Sequence, residues 1–495
     1  FLRQNNWMSR NLVLAGNYNM TNVQAMYRQL IDLGQHPKEI SDNVTMLEKI
    51  GHFLDEEYAR LYRDFREEGM DSLAIADKIK NNLNLENVLK NAFKNVDGGY
   101  NMVGLIGDGN AFVMRDPNGI RPNYYWENDE VVVVASERSA IQTAFDLQMD
   151  DLKEVTPGSA LIIARDGSLE EKEILSPLDR FSCSFERIYF SRGSDGKIHE
   201  ERKRLGRKLA KKILKRLDYD IRSTVFSYIP NTAATSYYGL IDGIYKYLDK
   251  WKREAIIKLG ANAQPEEIDK LLAVKIRREK LLVKDAKIRT FIAQDEGRDD
   301  LVGNGYDVTY GLVKPTDTLV VVDDSIVRGT TLKKSILRIL DRLGPMKIIV
   351  ASSAPIIKYP DCYGIDMSRM NEFIAFKAVK SLLEKNNNLS FMDKVLAACQ
   401  KELKKPMEEM ENKVKMLYDQ FTDEEIENEI ALLVTPEDIK ADVEIVYQSI
   451  DNLHASCPNH LGDWYFSGNY PTPGGNQVVN RSFVYYMQGS TNRAY

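Results

Sequence analysis

The run LVVVDDSIVRGTT, residues 319–331, constrains the fold of this chain more than any other stretch. Its aliphatic residues call for a buried strand, and that strand ends in two adjacent carboxylates, Asp323 and Asp324. A small-residue turn follows. Leu332, Ile336, Ile339, Leu340 and Leu343 then recur at helical spacing until Gly344-Pro345 stops the helix. KIIVASSAP, from Lys347, reads as the next strand. Strand, helix, strand in that order predicts a parallel, doubly wound sheet.

In such sheets ligands sit beyond the carboxyl ends of the strands. Asp323 and Asp324 fall there. Ser325, Ile326, Val327, Arg328, Gly329, Thr330 and Thr331 lead into a helix whose first N–H groups and positive dipole end suit a phosphate. Ser325, Thr330 and Thr331 add hydroxyl donors, Gly329 lets the backbone approach closely, and Arg328 supplies charge. Paired carboxylates need another partner: they accept hydrogen bonds from vicinal hydroxyls and suit hydrated Mg²⁺. Phosphate beside a diol describes a ribose 5-phosphate. Two plainer readings compete, Asp323 as a helix cap and an aspartate-lined receiver pocket. No G-x-x-x-x-G-K-[ST] run occurs, which removes the main support for a P-loop nucleotide enzyme.

At 495 residues the chain is long enough for about two to four domains. A composition of 43% hydrophobic and 28% charged residues is that of a globular protein. A net charge of −6, from 67 basic and 73 acidic residues, argues against nucleic acid as a partner. No apolar run approaches the ~18 residues of a membrane span. Cys183, Cys362, Cys399 and Cys457 are too scattered for a disulfide framework, so a cytoplasmic location is expected.

Residues 1–165 read as a mixed α/β domain. NLVLAGNY, YNMVGLIG, AFVMRD, VVVVASE and SALIIARDG are closely spaced strands, with turns at Asp108-Gly109, Asn118-Gly119 and Asp166-Gly167, as in antiparallel sheets. A helical stretch spans about 22–94. Residues 166–380 form the parallel-sheet domain, with ERIYFSR and TVFSYIP as strands, a basic helix over 200–217 and a charged helical insertion near 240–285. Residues 381–495 read as a helical, then turn-rich, extension. The basic helix carries Leu205, Leu209 and Ile213 on one face and reads as solvated and amphipathic, not as a nucleic-acid patch.

DDSIVRGTT resembles the phosphoribosylpyrophosphate (PRPP) motif of type I phosphoribosyltransferases. The wider chain resembles the glutamine PRPP amidotransferase family. DGGYNMVGL, RDPNGIRP, VVVVASE and VTPGSALII are similar to that family's N-terminal-nucleophile glutaminase domain. CSFERIYFSRGSD, SYIPNT, SSAPIIKYPDCYGIDMSRMNEFIA and WYFSGNYPT are similar to its transferase domain and tail. The resemblance implies transfer of ammonia, drawn from glutamine, to PRPP, giving 5-phosphoribosylamine and pyrophosphate, the first committed step of purine synthesis. It further implies Mg²⁺, homo-oligomers and purine-nucleotide feedback inhibitors. It places diol-binding and metal-associated carboxylates on Asp323 and Asp324, the 5-phosphate loop on Ser325–Thr331, and a metal-site hydroxyl on Thr232. It also places an oxyanion-hole amide on Asn17 and the glutamine ammonium ligand on Asp97, roles for which an amide N–H and a carboxylate are chemically suited. Lys287 and Arg289, in a loop that closes over the substrate, are implied to meet pyrophosphate.

The chain departs from the family in several places, among them an early Arg for the glutamine carboxylate, which has no match, and the basic run after Lys287 and Arg289, largely replaced by NGYDVTY. The family's nucleophile is a cysteine at residue one; here residue one is Phe and no cysteine precedes Cys183. Either upstream sequence is missing or the glutaminase is dead; the abrupt start favours truncation, and this chain is not expected to hydrolyse glutamine. Tyr18 stands where the family's oxyanion-hole segment has glycine. Some relatives carry an iron–sulfur cluster on four cysteines; Cys183 matches one ligand, Cys362 is displaced by one position, and the remaining pair is replaced around Gly462 and Tyr465, so no cluster is expected. Two other functions share the motif: a nucleobase phosphoribosyltransferase, which the glutaminase-like half argues against, and a non-enzymatic PRPP-binding regulator.

Overall fold

The fold is taken from a computed structural model, which describes every residue except 6, 261–262, 285–305, 366, 491 and 495. Thr318–Asp323 lies at the middle of a five-stranded parallel sheet. In spatial order the strands are Arg277–Arg278, Thr224–Tyr228, Thr318–Asp323, Lys347–Ser352 and Asp442–Tyr447. In chain order that is 2-1-3-4-5, so connections leave the sheet in opposite directions from the first and third strands. A crevice opens there, between the ends of Thr224–Tyr228 and Thr318–Asp323, where Tyr228 pairs with Val322.

The aliphatic runs of the central strands follow from burial on both faces. Leu319 and Val321 join a core with Ile336, Leu340 and Phe376, while Val320 and Val322 join another with Ile213, Tyr237 and Leu240. All four strand residues are fully buried. Gly196–Arg216, capped by the Asp195 carboxylate on the N–H groups of Lys197 and Ile198, packs with Ala234–Leu259 over the second core.

Three expectations for this half need correction. ERIYFSR is not a strand: Glu186–Phe190 winds into a wide helical turn. The cause is tertiary, since Arg202 donates to the carbonyls of Arg187, Tyr189 and Ser191 and the backbone has no sheet neighbour. Residues 240–285 are not an appended insertion. Ala234–Leu259 is the crossover helix of the sheet, and Arg277–Arg278 returns as its edge strand. The stretch expected to be a helical extension supplies the fifth strand, Asp442–Tyr447, paired in parallel along Lys347–Ser352. The basic helix is also less solvated than its composition suggests, because Glu201 and Arg202 are buried with its leucines.

The amino-terminal half holds a six-stranded antiparallel sheet in the order Leu2–Arg3, Leu12–Met20, Gly98–Ile106, Ala111–Arg115, Ser159–Ile163, Leu169–Glu173. It therefore runs on past residue 165. A smaller antiparallel sheet pairs Tyr124–Glu127 with Val132–Ala135 and Lys153–Glu154. Alternation gives the large sheet one buried face. Leu12, Leu14, Met20, Tyr100 and Met102 pack against Asp42–Glu67 and Leu85–Phe93, while Val13, Val103 and Leu105 point outward and stay exposed.

Candidate functional site

At the crevice, Asp323 closes its strand and Asp324 follows it. The Asp324 N–H donates to Asp323 Oδ1 at 2.9 Å, and the Ser325 hydroxyl donates to Asp324 Oδ1 at 3.2 Å. The N–H groups of Ser353 and Ala354 bind the carbonyls of Asp323 and Asp324, which pins both residues to the next strand. Burial pushes both carboxyls up from their ordinary range, Asp323 the further, because the charge of Asp324 adds to its burial. For Asp324 the Ser325 hydroxyl, the Arg202 guanidinium and the Thr232 hydroxyl work the other way. Among the described residues neither carboxylate has a salt-bridge partner. A diol or a hard cation would satisfy two buried acids so placed.

Ile326 to Thr331 curl away from the sheet into the helix that starts at Thr330. Among the described residues no acceptor takes the N–H groups of this turn, the arrangement in which helix entrances hold anions. The Lys333 N–H returns to the Gly329 carbonyl and the Ile374 N–H to the Val327 carbonyl, fixing the turn from both sides. Gly329 sits at φ 71°, and a Cβ there would come 2.8 Å from Val434. Glycine is therefore required twice over. Arg328 is half exposed and forms an ion pair with Glu372 at 2.5 Å.

Asp323 through Thr331 line one cavity of about 600 Å³. Its opposite wall is Phe185, Tyr189, Phe190, Ile365 and Met367, none of which the sequence singled out by itself. The aromatic wall hangs on Arg202, a buried cation whose Nε and Nη2 reach three carbonyls between Arg187 and Ser191 at 2.7–3.2 Å. Burial lowers the pKa of Arg202, with Asp324 opposing. Lys287 and Arg289 lie outside the described residues.

A second cavity, of about 300 Å³, adjoins the first. It is lined by Asn17, Asn101, Arg121, Glu186 and Gly364, and it shares Phe190 and Ile365 with the larger one. Gly364 allows the approach, since a Cβ there would meet Asn17 Oδ1 at 2.8 Å. Asp97 lines a different cavity, with Thr21, Arg28 and Arg481, so the structure does not bring it together with Asn17. Its carboxylate is already occupied: the hydroxyls of Thr21 and Thr472 and the Gly474 N–H donate to it, capping the helix Pro473–Met487. Sequence reading passed over Asp42. Among the described residues this carboxyl accepts only the Met20 N–H, at 3.3 Å, and its charge acts on Tyr18; burial pushes it up to about 6. Its signal was weak, an acid after Ser41 at a helix start, where capping accounts for it.

Cys183, Gly462 and Tyr465 meet in one place: Cys183 bridges to Gly462, and the Tyr465 hydroxyl lies 3.6 Å from Cys183 Sγ. Phe185 packs on Tyr465 with ring centroids 5.3 Å apart. Among the described residues no cluster of three or more His, Cys, Asp or Glu forms a metal cage.

No protein-family model matches the chain. Curated amidophosphoribosyltransferases do: those of Pseudomonas aeruginosa, Escherichia coli and Bacillus subtilis are 28%, 29% and 29% identical over 74%, 74% and 76% of this chain. The chain is related to the amidophosphoribosyltransferases. It spans 64%, 64% and 65% of the lengths of those relatives. The fold agrees. Glutamine PRPP amidotransferase from B. subtilis, complexed with ADP and GMP, superposes with a TM-score of 0.58 at 25% identity, over 95% of this chain and 79% of its own. A second structure, of the allosteric regulatory enzyme of purine biosynthesis, gives 0.57 at 24% identity over 95% and 78%. The two antiparallel sheets and the parallel sheet are thus the glutaminase-type and phosphoribosyltransferase-type folds of that family.

Proposed function

We propose that this chain transfers ammonia to PRPP, forming 5-phosphoribosylamine and pyrophosphate, the amidophosphoribosyltransferase reaction that begins purine synthesis. The observation that carries the reading is the single cavity in which the acid pair and the open-amide turn face each other at the sheet crevice. The 5-phosphate would rest on the N–H groups of Ile326–Thr331, and the ribose hydroxyls would donate to Asp323 and Asp324. The ammonia lone pair then attacks C1 as the bond from C1 to the pyrophosphate oxygen breaks, and the added nitrogen loses a proton to solvent. Carboxylates held beside the ring tolerate the positive charge that develops at C1. With no covalent protein intermediate, positioning supplies most of the rate.

Mg²⁺ fits the donors present. Asp323, Asp324 and Thr232 offer oxygen only, and among the described residues the acids form no salt bridge, the Arg202 guanidinium acting on Asp324 without pairing with it. Bound there with pyrophosphate, it would neutralise charge on the leaving group.

Glutamine is the proposed nitrogen source of the amino-terminal half, with Asn17 at the oxyanion hole and Asp97 or Asp42 as the ammonium ligand. None of the four thiols in this chain suits the nucleophile's role: all are buried, and burial pushes those of Cys183, Cys399 and Cys457 up to about 12. The reaction proposed for the chain as it stands therefore uses free ammonia. Purine nucleotides as inhibitors, a homo-oligomer and a cytoplasmic location complete the reading by kinship.

The experiment supplies PRPP, Mg²⁺ and ammonium and follows pyrophosphate. Release that depends on ammonium supports the reading, and a nucleobase that replaces ammonium as acceptor would refute it.

A further inference from the structure

Arg121 belongs to the amino-terminal half, yet it grips both segments of the wall shared by the two cavities. Its Nη1 donates to Glu186 Oε1 at 2.5 Å, four residues before Phe190. Its Nε donates to the Tyr363 carbonyl at 3.0 Å, and Nη2 reaches the same oxygen, two residues before Ile365. Phe190 and Ile365 are the two residues common to both cavities. Arg121 is 2% exposed. Its own turn is braced: Arg115 donates to the Arg121 carbonyl at 2.9 Å, and the Ile120 and Arg121 N–H groups donate to Asp116. A buried arginine fork with a carboxylate on one arm and a carbonyl on the other fixes direction as well as distance. Burial alone would disfavour its charge; Glu186 overrides that.

We infer that Arg121 is a positioning residue that couples the PRPP cavity to the antiparallel half, by holding Phe190 and Ile365 to the turn Asp116–Arg121. The inference rests on the PRPP reading. A substrate that packs against the wall would displace or stiffen the Glu186–Phe190 and Tyr363–Ile365 segments, and among the described residues the only polar links from both to one rigid turn are the bonds of this guanidinium. A response transmitted from the ligand to that turn distinguishes coupling from proximity.

Hydrogen exchange on the whole chain, with and without Mg²⁺–PRPP, provides that response. In the wild type, exchange should slow at Ser325–Thr331, at Glu186–Phe190 and also at Pro117–Asn123. In Arg121→Lys the slowing at Pro117–Asn123 should fall at least threefold, while that at Ser325–Thr331 persists. A merely structural role would speed exchange in both states without altering the response to ligand. Should the lysine variant fail to fold, Glu186→Gln keeps the shape of its partner and should weaken the same response by a smaller factor. Protection at Ser325–Thr331 with none transmitted in the wild type, or transmission undiminished in either variant, overturns the coupling. Absence of protection at Ser325–Thr331 instead overturns the PRPP reading, and the coupling with it.

Discussion

The two halves of this molecule hold their candidate sites differently. In the parallel sheet every described motif residue from Asp323 to Thr331 converges on one cavity, with buried acids, open amides and a glycine that nothing else can replace. In the antiparallel half the nominated residues disperse: Asn17 lies on an outward strand position, while Asp97 is consumed in capping a helix 375 residues away in the chain. Contiguity explains the contrast. A strand end and the turn after it bring their residues together through local geometry, whereas a site assembled from separate strands depends on every element around it. On the proposed reading, the acids and open amides of the crevice are the working site, and the occupied carboxylate of Asp97 is scaffold.

The largest expected effect tests the first half of that contrast. Asp323→Asn with Asp324→Asn should lower ammonium-dependent pyrophosphate release by ~10³-fold, the scale on which placed electrostatic groups act. Thermal stability should hold or rise, because two buried like charges no longer repel. A matching loss of melting temperature would mean that the pair is structural. Gly329→Ala comes next. A side chain at φ 71° that presses Val434 costs about 1–3 kcal/mol and tilts the N–H groups of the turn. PRPP affinity measured by calorimetry should fall by roughly tenfold or more, that is, by at least ~1.4 kcal/mol. Unchanged affinity would show that the turn does not carry the phosphate.

Much of the parallel half was legible because its signals are local. A run of aliphatic residues closed by acids and a Gly/Thr turn reads as a buried strand that leads into a helix, and Thr318–Asp323 and Lys347–Ser352 lie where the pattern puts them. Glu186–Phe190 escaped because its apolar residues suit a strand, and only Arg202, bound to its carbonyls, decides against one. Asp442–Tyr447 escaped because helices surround it in the chain and its partner strand lies some ninety residues back. Resemblance put an ammonium ligand on Asp97, but no spacing rule could show that Thr472 and Gly474 would claim it.

Asp97→Ala tests the scaffold side. Three hydrogen bonds to a buried carboxylate are lost and the entrance of Pro473–Met487 loses its cap, so unfolding should cost about 2–3 kcal/mol less, read from denaturant midpoints. Ammonium-dependent pyrophosphate release should stay within about twofold of the wild type once corrected for folded protein, since among the described residues no hydrogen bond of the Asp97 carboxylate reaches the cavity lined by Asp323–Thr331. A selective loss of activity would erase the distinction between the two sites.

Asp42 sharpens the comparison most finely, through pH. Its folded pKa, pushed up by burial to about 6, lies above the ordinary carboxylate value of 3.8. A folded state that holds its proton more tightly than the unfolded chain is favoured at low pH, so this contribution is full below about pH 3.8 and is lost as pH rises through about 6. The difference in stability between wild type and Asp42→Asn should therefore shift against the wild type between pH 4 and pH 7, by roughly 1–3 kcal/mol. Asn at this position still accepts the Met20 N–H and never ionises, which isolates the charge from the hydrogen bond. A cationic ligand beside Asp42 reverses the sign of the cost: the carboxylate that destabilises the free protein becomes the charge that holds an ammonium group. An amino acid such as glutamine should then raise the melting temperature of the wild type more at pH 7 than at pH 5, and should leave Asp42→Asn unmoved at both. If Asp97→Asn abolishes that shift instead, the ammonium ligand is the residue that resemblance named, and the open carboxyl is the bystander.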